Sequence, residues 1–191
     1  MGVSDYQALP EDLPVPVDDG AADQLPGTPV PRLALPATSG GEVDLAEFAT
    51  GLLVAYVYPR TGVPGEPLPE GWDDIPGARG CTPQNCSYRD SLAAFERHGA
   101  RLVGISAQSE AEQAEFATRE HITYPLLADP GLGLATVLRL PTFEVEIAGE
   151  STTLYKRLTF VAKDGVIVKA FYPVFPPDRD AADVLSWLGS H

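Results

Sequence analysis

The chain has 191 residues and a mass of 20.3 kDa, enough for one domain of ordinary size and too few for two large ones. With 44% apolar and 21% charged residues, it has the composition of a globular protein, which excludes a wholly disordered or collagen-like chain. Its 13 basic and 27 acidic residues give a net charge of −14, which disfavours nucleic acid and anionic membrane surfaces as partners.

The N-terminal segment and the hydropathy of the chain indicate where the protein acts. No run approaches the roughly 20 apolar residues of a membrane span. The first 31 residues hold no Lys or Arg with which a signal peptide could begin. They hold six prolines and six acidic residues, which favours an extended, self-repelling arm that adds little to the core. We expect a cytoplasmic protein with an arm at 1–31 and one domain at 32–191.

The first half of the domain alternates strands and helices around one long loop. The apolar run LLVAYVY at 52–58 is typical of a strand buried on both faces. It is followed at 59–80 by five prolines and five glycines, which exclude a regular element. The other predicted elements are a hairpin of 32–35 with 42–44, a helix from Thr82-Pro83 to about residue 98 or 99, a strand at 101–107 and a helix at 109–121 with a Ser109/Glu112 capping box.

The second half continues the pattern and ends with a helix. We predict a short strand at 126–128, a short helix at 131–138, strands at 154–162 and 166–172 joined by a Lys163-Asp164-Gly165 turn, and a last helix at 178–188. This order predicts an α/β fold with a mixed central sheet covered by helices.

The two cysteines lie in one motif, GCTPQNCSYRD. Cys81 lies just before or within the first turn of the predicted helix, where free amide groups and the helix dipole favour a thiolate. Cys86 follows five positions later, about 7.5 Å of rise and roughly 140° of rotation along an intact helix. That separation exceeds disulfide reach, so a bond between the two requires the first turn to unwind. Because the helix start favours a thiolate at Cys81, this residue is the candidate nucleophile.

Other interpretations of the cysteine pair are open at this point. Two buried, inert cysteines on a helix are common. A zinc site needs two further ligands, and the three histidines (His98, His121 and His191) show no ligand spacing relative to the pair. We therefore expect no metal at this site. The absence of a Cys-x-x-Cys motif disfavours a disulfide-shuffling oxidoreductase.

Several separate segments in collinear order resemble one family. They are LPGTPVPRLALPATSGGEVDLAEF, YVYP, GCTPQNCSYRD, RLVGISAQS, YPLLADP and KRLTFVAKDG, and the resemblance as a whole covers roughly residues 25–190. Together they resemble the peroxiredoxins, in particular the bacterioferritin comigratory protein or Q-type branch. The resemblance implies a thioredoxin-like fold with an N-terminal hairpin, and an antioxidant, thiol-dependent reduction of hydrogen peroxide and organic hydroperoxides.

The resemblance also implies site residues and partners. Cys81 matches the peroxidatic cysteine, Cys86 the resolving cysteine of many Q-type members, and Arg157 the active-site arginine on a strand. A disulfide between Cys81 and Cys86 would then be recycled by thioredoxin or a similar dithiol reductant. No cofactor, metal, nucleic acid or membrane is implied, and the chain is expected as a monomer or homodimer.

One departure from the family pattern concerns the loop before Cys81. The family motif Pro-x-x-x-Thr-x-x-Cys is short, whereas Pro59 lies 22 residues before Cys81, so 59–80 is an inserted loop. The threonine slot falls on Val63 counted from the proline and on Ala78 counted from the cysteine. The nearest hydroxyl is that of Thr61, which we predict with Pro59 as a site residue.

Three questions stay open from sequence. The insertion, which contains Trp72, either folds over the cysteine and limits which hydroperoxides enter or forms a structural surface loop. The enzyme either forms the Cys81–Cys86 disulfide or uses a one-cysteine mechanism with an external thiol. The split motif also leaves room for an inactive thioredoxin-like interaction module.

Overall fold

The computed structural model describes residues 6–191 as a five-stranded mixed sheet with helices on both faces. The elements are β1 (Ala34–Pro36), β2 (Glu42–Asp44), α1 (Leu45–Phe48), β3 (Leu52–Val57), α2 (Cys81–Asp90), α3 (Leu92–Arg97), β4 (Ala100–Ser106), α4 (Glu110–Arg119), β5 (Leu126–Ala128), α5 (Gly133–Leu138), β6 (Thr142–Ile147), β7 (Glu150–Tyr155), β8 (Leu158–Lys163), β9 (Val166–Phe171) and α6 (Asp180–Leu188). The strand order is β5-β4-β3-β8-β9, in which β3 is parallel to β4 and antiparallel to β8. The α/β class and the mixed sheet predicted from sequence are confirmed.

Strand β3 divides the core into two layers because its alternate side chains point to opposite faces. Leu53 and Ala55 pack on one face with α1, α5 and residues of the arm. Val54 and Tyr56 pack on the other face with α2, α3, α4 and α6. The continuous apolar run therefore forms the central strand, as its composition predicts.

The capping box and the hairpin turn form as the sequence predicts. Ser109 accepts a hydrogen bond from the Glu112 amide, and the Glu112 side chain accepts one from the Ser109 amide. Asp164 and Gly165 both have positive φ, of 49° and 82°, which suits a tight two-residue turn between β8 and β9.

Three expectations are wrong in detail. The predicted strand at 154–162 is two strands in different sheets: β7 pairs with β6 in a separate hairpin, and β8 joins the main sheet. The predicted helix to residue 98 is interrupted at Ser91, where α2 ends and α3 begins. The arm adds more to the core than expected, because Leu25 and Val30 are buried in the α1/α5 layer.

Among residues 6–191, we find no helix with the length and apolar character to cross a bilayer.

Candidate active site

Cys81 is the first residue of α2 and lies at the carboxyl side of the central strands. The preceding residue, Gly80, has a φ of 100°, a conformation that residues with a side chain rarely adopt. A Cβ atom at Gly80 would also lie 2.5 Å from Pro177 and 2.7 Å from Leu9. The Cys81 side chain is 3% exposed, and its sulfur lies 3.7 Å from the carbonyl oxygen of Ala78.

Arg157 is brought to Cys81 by the break between β7 and β8. Its Nη2 lies 3.2 Å from Cys81 Sγ, and its guanidinium also donates hydrogen bonds to the backbone carbonyls of Gly77, Ala78 and Arg79. The buried guanidinium therefore ties the end of the insertion to the sulfur. A fixed positive charge at this distance stabilises a thiolate.

Arg157 belongs to a buried network of hydrogen bonds. Arg157 Nη1 donates to Gln84 Oε1, and Gln84 Nε2 donates to Asp180 Oδ2 at 2.8 Å. Asp180 Oδ2 also accepts from the hydroxyls of Tyr88 and Thr159, at 2.9 and 2.7 Å. Burial raises the pKa of Asp180, although these donors and Arg157 act in the opposite direction.

Cys86 has a different environment. It is half-buried, and its Sγ lies 3.6 Å from Glu120 Oε2. Glu120 in turn forms ion pairs with Arg89 and Arg119. Burial, together with the Glu120 carboxylate, raises the pKa of Cys86 to about 11, against an opposing effect of Arg89.

Thr61 and Pro59 are both buried near the start of the insertion, but their hydrogen bonds are formed with Gln108 and Ser106 and not with Cys81. The amide and the hydroxyl of Thr61 both donate to Gln108 Oε1, at 2.8 and 3.0 Å. The Pro59 carbonyl accepts from the Ser106 hydroxyl at 3.1 Å. The structure brings Cys81 and Arg157 into contact, whereas the role of Thr61 at the sulfur stays a prediction.

The insertion packs over the site and also against the β6–β7 hairpin. Trp72 is buried in a small cluster with Val145 and Leu154 of the hairpin, and its ring centroid lies 6.2 Å from that of Phe143. Trp72 also lines a narrow cavity that reaches Cys81. The insertion thus folds over Cys81 and also packs as a structural loop, whereas a limit on which hydroperoxides enter stays a prediction.

Gln84 and Asp180, which form a hydrogen-bond chain with Arg157, are functional candidates that sequence reasoning missed. Gln84 follows Cys81 by three positions, so helical spacing alone places it on the same side of α2, and this signal was available. Asp180 lies 96 residues beyond Gln84 in the chain, and a contact at that separation has no local signal.

Comparisons with known proteins identify the family of this chain. The Redoxin family model matches residues 25–185. The Mycobacterium tuberculosis protein Rv2521, whose name assigns it to the peroxiredoxins, is 33% identical over 150 residues, covering 78% of this chain and 85% of the relative. Chloroplastic peroxiredoxin Q of Sedum lineare is 30% identical over 165 residues, covering 86% and 77% respectively.

A solved structure shows the same fold. The crystal structure of peroxidoxin BcpB from Mycobacterium tuberculosis superposes with a TM-score of 0.68 at 27% identity, covering 87% of this chain and 97% of that one. The likeness confirms the thioredoxin-like peroxiredoxin fold. The chain therefore belongs to the redoxin family and, within it, to the peroxiredoxins of the Q or bacterioferritin comigratory protein type.

Proposed function

We propose that this protein is a thiol peroxidase that reduces hydroperoxides with Cys81 as nucleophile. The observation that carries the proposal is the 3.2 Å contact between Arg157 Nη2 and Cys81 Sγ at the first residue of α2. A helix N-terminus and a guanidinium together stabilise a sulfur anion and present donors to an incoming oxygen.

In the first step, the Cys81 thiolate attacks one oxygen of the hydroperoxide. The S–O bond forms as the O–O bond breaks, and the sulfur is oxidised to a sulfenic acid. The other oxygen leaves as water or an alcohol, and one proton taken up from solvent balances the step. Arg157 can donate hydrogen bonds to the oxygens on which negative charge develops, and such donors act most strongly in the transition state.

In the second step, Cys86 resolves the sulfenic acid. The Cys86 thiol condenses with the Cys81 sulfenic acid, which forms an S–S bond and releases water. Because the two residues are separated by about 7.5 Å of helical rise, the first turns of α2 have to unwind before this bond forms. An external dithiol, thioredoxin or a similar protein, then reduces the disulfide.

The test is a pair of serine variants with intact mass measurement. We expect Cys81→Ser to lose peroxide consumption completely. Cys86→Ser should complete one turnover and leave a sulfenic acid that dimedone traps. The wild-type chain should lose about two mass units after one equivalent of hydrogen peroxide, as an intramolecular disulfide requires.

Other outcomes would separate the alternatives. Peroxide consumption by Cys81→Ser at the wild-type rate would overturn the assignment of the nucleophile. A gain of one oxygen by the wild-type chain, without loss of hydrogens, would replace the disulfide step by a one-cysteine mechanism. The pKa of about 11 for Cys86 is the observation that favours this second candidate, because a protonated thiol is a poor nucleophile.

A further inference from the structure

The approach to Cys81 is narrow. The cavity that reaches the residue has a volume of about 10 Å³, close to the least that holds a single water molecule. Leu68 and Trp72 of the insertion line it, and so does Tyr6 from the N-terminal arm. Hydrogen peroxide is only one oxygen atom larger than water, whereas a bulky organic hydroperoxide carries an aryl or branched alkyl group much larger than this space.

A much larger cleft lies next to this cavity. It has a volume of about 640 Å³ and is bounded by the insertion and by the turn between β6 and β7. Five residues line both spaces: Tyr6, Arg60, Gly62, Leu68 and Trp72. Of these, Tyr6 belongs to the arm and the other four belong to the insertion. The Tyr6 side chain therefore forms part of the wall between the open cleft and the cavity at Cys81.

Specific contacts hold the Tyr6 ring in this position. Its hydroxyl donates to the backbone carbonyl of Glu66, and its ring centroid lies 6.0 Å from the Arg79 guanidinium carbon. The ring packs on Gly62 so closely that a Cβ atom at Gly62 would lie 1.8 Å from Tyr6 Cε1. Only 8% of the residue is exposed. The Tyr6 ring can therefore pack here only because Gly62 has no side chain.

We propose that Tyr6 is a specificity-determining residue, whose ring closes the wall so that hydrogen peroxide is admitted to Cys81 and bulky organic hydroperoxides are excluded. The inference rests on the proposed peroxidase function. Removal of the ring joins the small cavity to the large cleft, which has room for an aryl or alkyl group beside the reacting oxygens. The arm thus acts on the choice of substrate without touching the sulfur.

The test compares kcat/KM for cumene hydroperoxide with kcat/KM for hydrogen peroxide. In Tyr6→Ala we expect the ratio of the two values to rise about tenfold or more, since steric exclusion by a side chain of this size controls selectivity on that scale. Gly62→Ala should raise the ratio in the same direction, because its methyl group displaces the Tyr6 ring. Val17→Ala, at an 81% exposed position of the same arm, is the matched control and should leave the ratio unchanged.

Each other result has a distinct meaning. If the wild-type protein reduces hydrogen peroxide and the ratio is the same in Tyr6→Ala, the specificity role is overturned while the peroxidase function stands. An equal rise or an equal fall for both substrates also overturns it, because Tyr6 would then affect access or the site in general. A wild-type protein that reduces neither substrate overturns the peroxidase function and this inference together.

Discussion

The two thiols of α2 have neighbours of opposite charge. Cys81 Sγ lies 3.2 Å from the Arg157 guanidinium, whereas Cys86 Sγ lies 3.6 Å from the Glu120 carboxylate. A positive neighbour favours a thiolate, and a negative neighbour favours the neutral thiol. The proposed roles, attack by Cys81 and resolution by Cys86, therefore fall on two thiols of one helix whose charged neighbours from other elements have opposite sign.

The raised pKa of Cys86 predicts how its reactivity depends on pH. In the Cys81→Ser protein, where Cys86 is the one remaining thiol, labelling by iodoacetamide should be slow near neutral pH and should accelerate up to about pH 11. The measurement is the labelling rate by mass spectrometry across a pH series. Glu120→Gln removes the negative neighbour and should move the profile to lower pH.

The same shift has a consequence for stability. Because the folded pKa lies above the unfolded value of about 8.5, the contribution of Cys86 to stability is present below that pH and is lost as the pH rises toward about 11. A labelling profile with its midpoint near pH 8.5 would contradict the proposed environment of Cys86.

At the scale of elements, hydrogen bonds between α6 and α2 extend to Arg157, the residue that contacts Cys81. Asp180, the first residue of α6, accepts hydrogen bonds from Gln84 and Tyr88 of α2 and from Thr159 of β8. Gln84 in turn accepts a hydrogen bond from Arg157. The last helix of the chain is therefore connected to the guanidinium through one amide side chain.

Asp180→Ala should destabilise the protein. The substitution leaves three buried donors without their acceptor, and since each unsatisfied buried donor costs about 1–3 kcal/mol, we expect a loss of at least about 3 kcal/mol in the free energy of unfolding. Urea denaturation measures the loss.

Asp183→Ala, at an exposed acidic residue of the same helix, is the control and should lower the free energy of unfolding by less than about 1 kcal/mol. Asp180→Asn keeps an acceptor oxygen and removes the buried charge, so its loss should be smaller than that of Asp180→Ala. Equal midpoints for Asp180→Ala and Asp183→Ala would refute the role of this network.

The elements that sequence predicted well are those with a local cause. Strand β3 follows from its unbroken apolar run, α4 from its capping box, and the β8–β9 turn from Asp164-Gly165. The division of 154–162 into β7 and β8 has no such local cause. The chain leaves one sheet and enters another at Arg157, whose contact with Cys81 joins residues 76 positions apart in the sequence. Hairpin β6–β7 had a weak signal in the alternation of TFEVEI, which the sequence interpretation did not use.

The active site divides in the same way. Cys81 could be named from its place at a helix start, and Arg157 was named through family resemblance. The hydrogen bonds of Thr61 to Gln108 depend on a partner 47 residues away, and no spacing rule predicts them. The contact of Tyr6 with Gly62 joins the arm to the insertion, and neither segment has a periodic pattern.

At the scale of the whole molecule, the arm is a structural part of the domain despite its acidic, proline-rich composition. Leu25 is 0% exposed and packs in the core, and the backbone of Gly27 and Val30 donates to carbonyls of Ile167 and Gly165. Lys156 forms an ion pair with Asp19 at 3.0 Å. Composition alone indicated an extended arm, but a few apolar residues within it are enough to fix its path.

Leu25→Ala should therefore behave as a core substitution. We expect a loss of about 2–5 kcal/mol in the free energy of unfolding, the range for removing a buried leucine side chain. Val17→Ala in the same arm should change it by no more than about 0.5 kcal/mol, because Val17 is exposed. Thermal or urea denaturation gives both values. A loss below about 1 kcal/mol for Leu25→Ala would show that the arm does not contribute to the core in solution.

The backbone contacts along the outer strands affect how the protein behaves at high concentration. Residues 27–30 form backbone hydrogen bonds with residues 165–167 at the start of β9, and Ala37 forms a bridge with Leu127 of β5, so the protein's own chain partly occupies both margins of the sheet. A bare margin is a template on which another molecule can add a strand. Because the protein's own chain partly covers both margins, the sheet offers less unpaired backbone to a second copy, so we expect little self-association along the sheet at high concentration.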